Sequence, residues 1–344
     1  MPLPATGGRM NDRISSDNIL IDNFGRKINY VRLSVTDKCN LRCLYCMPEK
    51  MQFMPSNNLL SLSEMERLIN LLAELGITKV RITGGEPFIR SGIMDFLRSI
   101  YSISGIENVH ITTNGVSTLP YVARLADLGI SGLNLSLDTL NAEKFYKMTR
   151  RDKFAEVLKC LHGILEAQIP LKVNAVIMEK WNTDDILPMA ELTRHHPIEM
   201  RYIEEMPFNG TANTLDSLVW NHEKILATLT EHYPEIQRIP MPPHATSQQY
   251  KIPGHQGIVG IIAGFSRTFC GTCNRIRVTA SGGMQTCLYG YETLNFRDLF
   301  RADHSDTEVQ HMLKEQIGKR FRDGIAAQQH TQTSTSRSMS LIGG

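Results

Sequence analysis

The stretch "TDKCNLRCLYCMPEK", residues 36–50, places Cys39, Cys43 and Cys46 in a CxxxCxxC spacing directly after a run of β-forming residues. No fourth cysteine stands nearby in the sequence. Structural zinc sites usually have four protein ligands, whereas three thiolates can hold a [4Fe-4S] cluster and leave one iron open for another ligand. The spacing therefore favours an iron–sulfur cluster, and a zinc knuckle is the alternative.

The composition is that of a globular enzyme with one large core. The chain has 344 residues, of which 42% are hydrophobic and 21% are charged. Its 37 Lys+Arg against 35 Asp+Glu give a formal net charge of +2, too small for a general nucleic-acid binder, so any anion site must be local. The sequence has no membrane-length apolar run and no secretory signal, so we expect a cytoplasmic protein with no membrane partner.

Short β-forming runs alternate with helical patterns between Tyr30 and Glu205, which predicts repeated βα units and a parallel sheet. Ser63 and Glu66 have the spacing of a capping box at the start of the first crossover helix. The expected fold class is α/β, an incomplete TIM-type (β/α)6 barrel with a C-terminal extension. Six runs are predicted strands: residues 31–35, 79–83, 108–113, 132–138, 171–177 and 199–204.

The same patterns suggest four segments. Residues 1–22 are expected to be a disordered extension, and 23–208 the partial barrel. Residues 209–325 are expected to form the extension with a second cysteine group, and 326–344 a tail that its Ser, Thr and Gln content alone predicts to be flexible.

Five of the predicted strands carry polar residues on one face, whereas buried parallel strands normally read as continuous apolar runs. Strand ends or a solvated edge are the alternative explanation. Three cations on one face repel one another unless an anion joins them, so a cavity that binds a phosphate-rich anion is predicted. The polar positions are Arg32, Ser34, Arg81, Thr83, His110, Thr112, Asn134, Ser136, Lys172 and Asn174.

A second cysteine group lies in "FCGTCNRIRVTASGGMQTC", residues 269–287. This group again provides three thiolate ligands, which are Cys270, Cys273 and Cys287. Three ligands favour a second cluster with an open iron over a zinc ribbon. Arg275 and Arg277 alternate with apolar residues, so both guanidinium groups should share one face of a short strand beside these cysteines, unless that face is simply solvated. We expect the two cysteine groups to face one shared cavity. Cys160, the seventh cysteine, is expected to be a small buried apolar residue.

The segment "ITGGEP", residues 82–87, ends the second predicted strand. Its glycines let the backbone approach a ligand closely, and sites on such barrels lie at the carboxyl ends of the strands. Ser136 and Met206 stand at the ends of the fourth and sixth strands.

The first cysteine motif, with Tyr45 before its last cysteine, resembles that of the radical S-adenosylmethionine enzymes. From about Gly25 to Gly344 the chain resembles the GTP 3′,8-cyclase family, whose members catalyse the first step of molybdenum cofactor biosynthesis. The motifs that carry this resemblance are "LSVTDKCNLRCLYCMP", "RITGGEP", "TTNG", "RYIEEMP", "CGTCNRIRV" and the terminal "MSLIGG".

The resemblance implies two [4Fe-4S] clusters, one on each cysteine group, and S-adenosylmethionine as cofactors. Gly343 and Gly344 would assist catalysis from the tail, with Arg337 as a helper. The residues implied for S-adenosylmethionine are Tyr45, Gly85, Ser136 and Met206, with Gly84 and Glu86 beside them. The residues implied for GTP are Arg32, Arg81, Thr112, Lys172, Arg275, Ile276 and Arg277.

The implied reaction converts GTP to (8S)-3′,8-cyclo-7,8-dihydroguanosine 5′-triphosphate: a 5′-deoxyadenosyl radical takes hydrogen from C3′, and C3′ then attacks C8. The implied partners are an electron donor protein and cyclic pyranopterin monophosphate synthase, which would receive the product, and a homodimer is left open. One alternative is a peptide-modifying radical enzyme with an auxiliary cluster, although the chain shows no added peptide module. A nucleic-acid binder stabilised by metal is the other, and the near-neutral charge argues against it.

Overall fold

The computed structural model describes residues 19–208, 218–330 and 338–343. One sheet of twelve strands organises them, in the order β12-β11-β10-β1-β2-β3-β4-β5-β6-β9-β8-β7. The strands are β1 Tyr30–Ser34, β2 Lys79–Thr83, β3 Asn108–Thr113, β4 Gly132–Ser136, β5 Leu171–Ile177, β6 Glu199–Glu204, β7 Gln237–Arg238, β8 Ser247–Lys251, β9 Ile258–Ile262, β10 Arg275–Val278, β11 Gly283–Gln285 and β12 Leu294–Asn295.

Eight neighbouring strands of this sheet are parallel. They comprise β1 to β6, as the sequence predicts, together with β9 beside β6 and β10 beside β1. No pairing joins β9 to β10 among the described residues, so the barrel stays open on that side and residues 263–274 connect the two strands there. The extension is therefore not a separate body, because it adds two strands to the parallel sheet of the core.

Helices cover the outer face of the sheet, and the main hydrophobic core lies between these two layers. Strand residues such as Val31, Ile82 and Val173 face this core and are buried. The longest helices have 13 residues, and none of the described helices is long and apolar enough to cross a membrane. The helices are α1 Leu62–Glu74, α2 Ile93–Ser102, α3 Val122–Asp127, α4 Ala142–Thr149, α5 Phe154–Glu166, α6 Ile186–His195, α7 His222–His232, α8 Phe296–Arg301, α9 Asp306–Gly318, α10 Gly324–His330 and α11 Met339–Ile342.

The first crossover helix begins two residues earlier than predicted. Ser61 is the N-cap of α1: its hydroxyl accepts from Glu64 N at 3.1 Å, and the Glu64 carboxylate accepts from Ser61 N at 2.7 Å. The predicted capping box of Ser63 and Glu66 is thus wrong. Both pairs have the same spacing, but Glu64 also accepts from Arg301 Nε at 2.8 Å, and this contact with α8 favours the earlier start.

The N-terminal segment joins the core before residue 23. Leu20 is 1% exposed, donates its N–H to Leu75 O at 3.3 Å and accepts from Ile28 N at 2.8 Å. Residues 19–22, which the sequence places in a disordered extension, therefore pack against the barrel, because Leu20 supplies an apolar side chain to its core. Residues 1–18 of that predicted extension lie outside the described residues.

We predict that Leu20→Ala lowers the free energy of unfolding by about 2–5 kcal/mol, because it removes a fully buried side chain. Its neighbour is the matched control: Ile21 is 55% exposed, so Ile21→Ala should change stability by less than about 0.5 kcal/mol. Urea unfolding followed by circular dichroism measures both. Equal and small effects would show that this segment does not belong to the core.

Candidate active site

A cavity of about 730 Å³ lies on the inner face of the parallel strands. Residues from β1 to β6, β9 and β10 line it, so the sheet curves around this space. All six cysteines of the two groups, Cys39, Cys43, Cys46, Cys270, Cys273 and Cys287, also line it. The prediction that both groups face one chamber is confirmed, and the volume is within the range of small-molecule sites.

The first cysteine group follows β1, at the carboxyl end of the parallel strands. Its three thiols are half-buried and form no disulfide. The Cys39 sulfur accepts hydrogen bonds from Leu41 N at 3.4 Å and from Asn114 Nδ2 at 3.5 Å. Burial raises the pKa of Cys39 to about 11 and that of Cys46 to about 12, so bound iron must displace protons here.

Gly85 holds the first cysteine loop in place through its lack of a side chain. Gly85 N donates to Thr36 O at 2.6 Å, and Glu86 N donates to Lys38 O at 2.8 Å. A Cβ added to Gly85 would lie 2.1 Å from Lys38 O. The glycine therefore allows the cysteine loop itself to approach, whereas the sequence suggested only the approach of a ligand; Gly84 and Gly85 do line the cavity.

Glu86 does not reach the ligand space, although the resemblance places it beside S-adenosylmethionine. It is fully buried, and its carboxylate accepts from Phe88 N, Asn114 N and the Thr113 hydroxyl at 2.7–3.1 Å. Glu86 thus connects the loops after β2 and β3.

The four residues predicted to bind S-adenosylmethionine, Tyr45, Gly85, Ser136 and Met206, all line the cavity. The Tyr45 hydroxyl donates to Asp138 Oδ2 at 3.0 Å, and Asp138 Oδ1 accepts from Val176 N at 2.9 Å. Asp138 was not predicted; it fixes the tyrosine ring beside Cys46. Ligand contacts by these residues remain predictions.

Two arginines far away in sequence hold the second cysteine loop. Arg320 donates to Cys273 Sγ at 3.0 Å and to Cys273 O at 2.8 Å, and Arg26 donates to Cys270 O at 3.1 Å. Buried Asp22 accepts from Arg26 at 2.6 Å and lies 3.5 Å from Arg320. None of these three residues was predicted from the sequence, since the spacing of the cysteines gives no signal for partners far away in the chain.

Charge around Cys273 differs from that around the first group. Burial would raise the pKa of this thiol, but the positive charges of Arg275 and Arg320 outweigh burial and bring the pKa to about 7. A thiolate, the form that ligates iron, is favoured at this position.

Each cysteine group offers three thiolates to the cavity. In the described part of the chain, no three His, Cys, Asp or Glu side chains are grouped as the ligands of one metal ion. In a [4Fe-4S] cluster the thiolates bind different iron atoms, so three cysteines can hold a cluster without meeting at one ion.

Basic side chains dominate the cavity wall. Register places Arg277, Arg32 and Arg81 side by side on β10, β1 and β2, with His110 next on β3. In the described part of the chain, the wall has two acidic residues, Glu107 and Glu204. Eight basic residues line it: Arg32, Lys79, Arg81, Lys172, Arg201, Arg267, Arg275 and Arg277.

The pKa values in the cavity reflect this excess of positive charge. Burial and the neighbouring cations lower the pKa of His110 to about 3, so its ring is neutral, and burial and Arg275 lower the pKa of Arg277 to about 10. Burial alone would raise the pKa of Tyr30, yet Arg81, Arg32 and Lys79 bring it to about 7. Nε and Nη2 of Arg275 have no hydrogen-bond partner among the described residues. A polyanion is the ligand that this wall suits.

Six of the seven residues predicted to bind GTP line the cavity: Arg32, Arg81, Thr112, Lys172, Arg275 and Arg277. The seventh, Ile276, is 0% exposed and faces the hydrophobic core, because alternation along β10 turns its side chain away. Ser34 is also buried instead of lining the cavity. Lys79 and Arg201 were not predicted to line the cavity. They would have been found if the same alternation had been followed to the start of β2 and along β6.

The C-terminal tail enters the same cavity. The Ser338 hydroxyl donates to Cys46 O at 2.7 Å, and Arg277 donates to Gly343 O at 3.0 Å. Gly343 has φ +75°, and an added Cβ would lie 3.2 Å from Thr83 Oγ1, so a glycine suits this position. Composition alone predicts flexibility, which is wrong for residues 338–343. Arg337 and Gly344 lie outside the described residues, and the catalytic role of the tail remains a prediction.

An open parallel barrel with three cysteines after its first strand is the architecture of the radical S-adenosylmethionine proteins. Residues 33–193 match the Radical SAM superfamily, and residues 198–324 match the family described as Molybdenum Cofactor Synthesis C. A solved structure of Streptococcus suis SuiB bound to S-adenosylmethionine is similar in fold, with a TM-score of 0.59 and 15% identity over 82% of this chain and 68% of that one.

Two curated relatives identify the family within this class of proteins. The chain is 36% identical to the GTP 3′,8-cyclase of Chlorobaculum tepidum over 97% of this chain and 100% of the relative. It is 39% identical to human molybdenum cofactor biosynthesis protein 1 over 88% of this chain and 48% of the relative, so it spans about half the length of that protein. The chain belongs to the GTP 3′,8-cyclase family of radical S-adenosylmethionine enzymes.

We predict that Gly85→Ala removes the first cluster, because the new methyl group would collide with the backbone of the cysteine loop. Iron content after anaerobic reconstitution should fall from about eight atoms per chain to about four. Gly271→Ala is the control within a cysteine loop, since a Cβ there meets nothing within 4 Å. A Gly85→Ala protein with unchanged iron content would contradict the packing argument.

A second prediction concerns the second cysteine loop. Arg320→Met removes the donors to Cys273, so we expect the iron content to fall to about four atoms per chain while the first cluster is retained. Arg322→Met is the matched control, because the Arg322 side chain is 79% exposed. Iron analysis and electron paramagnetic resonance of the reduced protein distinguish the two clusters. Full occupancy of both clusters in Arg320→Met would rule out this role for Arg320.

Proposed function

We propose that this chain is a GTP 3′,8-cyclase that converts GTP to (8S)-3′,8-cyclo-7,8-dihydroguanosine 5′-triphosphate in molybdenum cofactor biosynthesis. The observation that carries the proposal is the single cavity lined by both cysteine groups and by eight basic residues. The names of the relatives support the same reaction. A peptide substrate would not account for so many cations in one enclosed space.

Three cofactors are part of the proposal. Cys39, Cys43 and Cys46 would hold one [4Fe-4S] cluster, with S-adenosylmethionine between Tyr45, Gly85, Ser136 and Met206. Cys270, Cys273 and Cys287 would hold the second cluster. When bound, the first cluster and S-adenosylmethionine supply a 5′-deoxyadenosyl radical, which takes hydrogen from C3′ of GTP so that C3′ can bond to C8 of the guanine.

The chain itself contributes binding, orientation and exclusion of water. Arg32, Arg81 and Arg277, adjacent in register, would bind the triphosphate together with Arg275 and Lys172. Thr112 accepts from Arg81 at 3.5 Å and would keep that guanidinium in place. Fixing the ribose and the base in one geometry brings C3′ and C8 together, which is the protein's main contribution to the rate.

The tail would complete the enclosure. Gly343 accepts from Arg277, so a residue proposed to bind the phosphates also anchors the segment that contacts Cys46. Phosphate binding and tail docking are thereby linked, and together they shield the reacting atoms from water. We include Gly344 in this role on the strength of the family resemblance.

Further partners follow from the same proposal. The reaction needs an electron donor protein, and its product would pass to cyclic pyranopterin monophosphate synthase. We place the enzyme in the cytoplasm, as a monomer or a homodimer.

The decisive experiment is anaerobic incubation of reduced, reconstituted protein with GTP and S-adenosylmethionine, followed by mass spectrometry. The expected result is a cyclised nucleotide triphosphate, formed by protein that contains about eight iron atoms per chain. Cleavage of S-adenosylmethionine without any change in GTP would refute the assignment of the substrate. Stoichiometric zinc without cluster absorbance would refute the cofactors.

We predict that Arg275→Ala and Arg277→Ala each lower cyclisation by about 10- to 100-fold, since each removes charge-assisted hydrogen bonds of about 1.5–3 kcal/mol. Some uncoupled formation of 5′-deoxyadenosine should persist, because these residues are proposed to bind GTP and not the cofactor. Arg98→Ala serves as the control; its side chain is 62% exposed on α2. Parallel loss of both products would contradict the assignment.

A further inference from the structure

Glu199 lies behind two of the basic residues of the cavity. It is 6% exposed at the start of β6. Its Oε2 accepts from Lys172 Nζ and from Arg201 Nη2, both at 2.8 Å. Its Oε1 accepts from Arg201 Nε and from the Ser247 hydroxyl, both at 2.7 Å. Four donors therefore use the full accepting capacity of one carboxylate.

This arrangement joins two basic residues of the cavity wall through one carboxylate. Among the described residues, Glu199 forms ion pairs with both Lys172 and Arg201. Glu199 does not line the cavity, whereas Lys172 and Arg201 do. The two cations thus have the carboxylate behind them and the ligand space in front.

The neighbouring strand approaches the carboxylate closely. A Cβ added to Gly260, which pairs with Arg201 across β6 and β9, would lie 2.9 Å from Glu199 Oε1, so the glycine leaves space for the carboxylate at this position. Ser247 belongs to β8, and its hydrogen bond connects the extension to a residue of the barrel. Both contacts keep the carboxylate, and hence the two cations, in one geometry.

We propose that Glu199 is a positioning residue that holds Lys172 and Arg201 as a fixed two-cation clamp for a phosphate chain. The inference deepens the proposed function, on which its choice of nucleotide rests. Glu199 cancels one positive charge, but the eight basic residues still exceed Glu199 and the two acidic residues of the wall, Glu107 and Glu204, by five charges. It also removes the need to order two long side chains when ligand binds.

The charge state of Lys172 supports the clamp. Burial and the nearby Arg201 and Arg81 lower the pKa of Lys172, whereas Glu199 raises it. Arg201 and Lys172 in turn hold the pKa of the Glu199 carboxyl well below its usual range, against the effect of burial. The carboxylate thus favours the protonated form of the lysine, against burial and the neighbouring cations.

The test uses Glu199→Gln in the reconstituted holoenzyme, with Glu191→Gln as the matched control. Glu191 pairs with Arg194 on α6, and its further partners Tyr233 and His255, like Glu191 itself, are not among the described residues that line the cavity. Equilibrium binding of inorganic tripolyphosphate, GTP, guanosine and S-adenosylmethionine is measured for each protein. We expect tripolyphosphate and GTP to bind about 10- to 100-fold more weakly to Glu199→Gln, with guanosine and S-adenosylmethionine unchanged.

Other results overturn the clamp. Unchanged tripolyphosphate affinity would exclude it, and a joint loss of iron, S-adenosylmethionine and tripolyphosphate binding would show a purely structural role. Should Glu199→Gln not fold, Ser247→Ala removes one buried hydrogen bond to the carboxylate and should weaken tripolyphosphate binding about 2- to 10-fold; no change would again exclude the clamp.

The two proposals can fail separately. If the wild-type protein binds tripolyphosphate in a Glu199-dependent way but does not cyclise GTP, the clamp stands and the proposed substrate is wrong. In kinetic assays a positioning role raises KM for GTP more than it lowers kcat.

Discussion

Repulsion among like charges is the constraint on which this site depends. Among the described residues, eight basic and two acidic ones line a cavity enclosed by the sheet, the second cysteine loop and the tail. Burial lowers the pKa values of some of these basic residues, among them Arg277 and Lys172. Such a wall is stable with few internal counter-ions only if it is built to receive an anion. Glu199 supplies one negative charge between two of the cations, and the excess of positive charge that remains favours a ligand that carries several negative charges.

Alternation along the strands creates this wall and the core at the same time. On β1, Val31 and Leu33 face the helices while Arg32 faces the cavity, and the neighbours β10 and β2 follow in register. Because the extension supplies β9 and β10 to the same sheet, it delivers Arg275, Arg277 and the second cysteine group directly to the cavity. The barrel and the extension are therefore one functional unit, although their sequences match two different families.

Much of this organisation was predictable from the sequence. Strands β2, β3, β5 and β6 have the predicted bounds, and the polar alternation indicated the cavity, because both depend on local patterns. Long-range contacts decided the rest. The start of α1 depends on Arg301, the side chain of Ile276 follows from the pairing of β10, and Asp22, Arg26 and Arg320 meet only in the folded chain. Likewise, nothing near Glu199 in sequence predicts that Lys172 and Ser247 will converge on it.

The connection between β9 and β10 is also the side wall of the chamber. Residues 263–274 run across the one flank where the parallel strands do not pair with each other, and they carry Cys270 and Cys273. An iron–sulfur cluster bound to Cys270 and Cys273 would link this wall to Cys287, which follows β11. Loss of the second cluster would remove this link and leave the side wall to the hydrogen bonds that Arg26 and Arg320 donate to it.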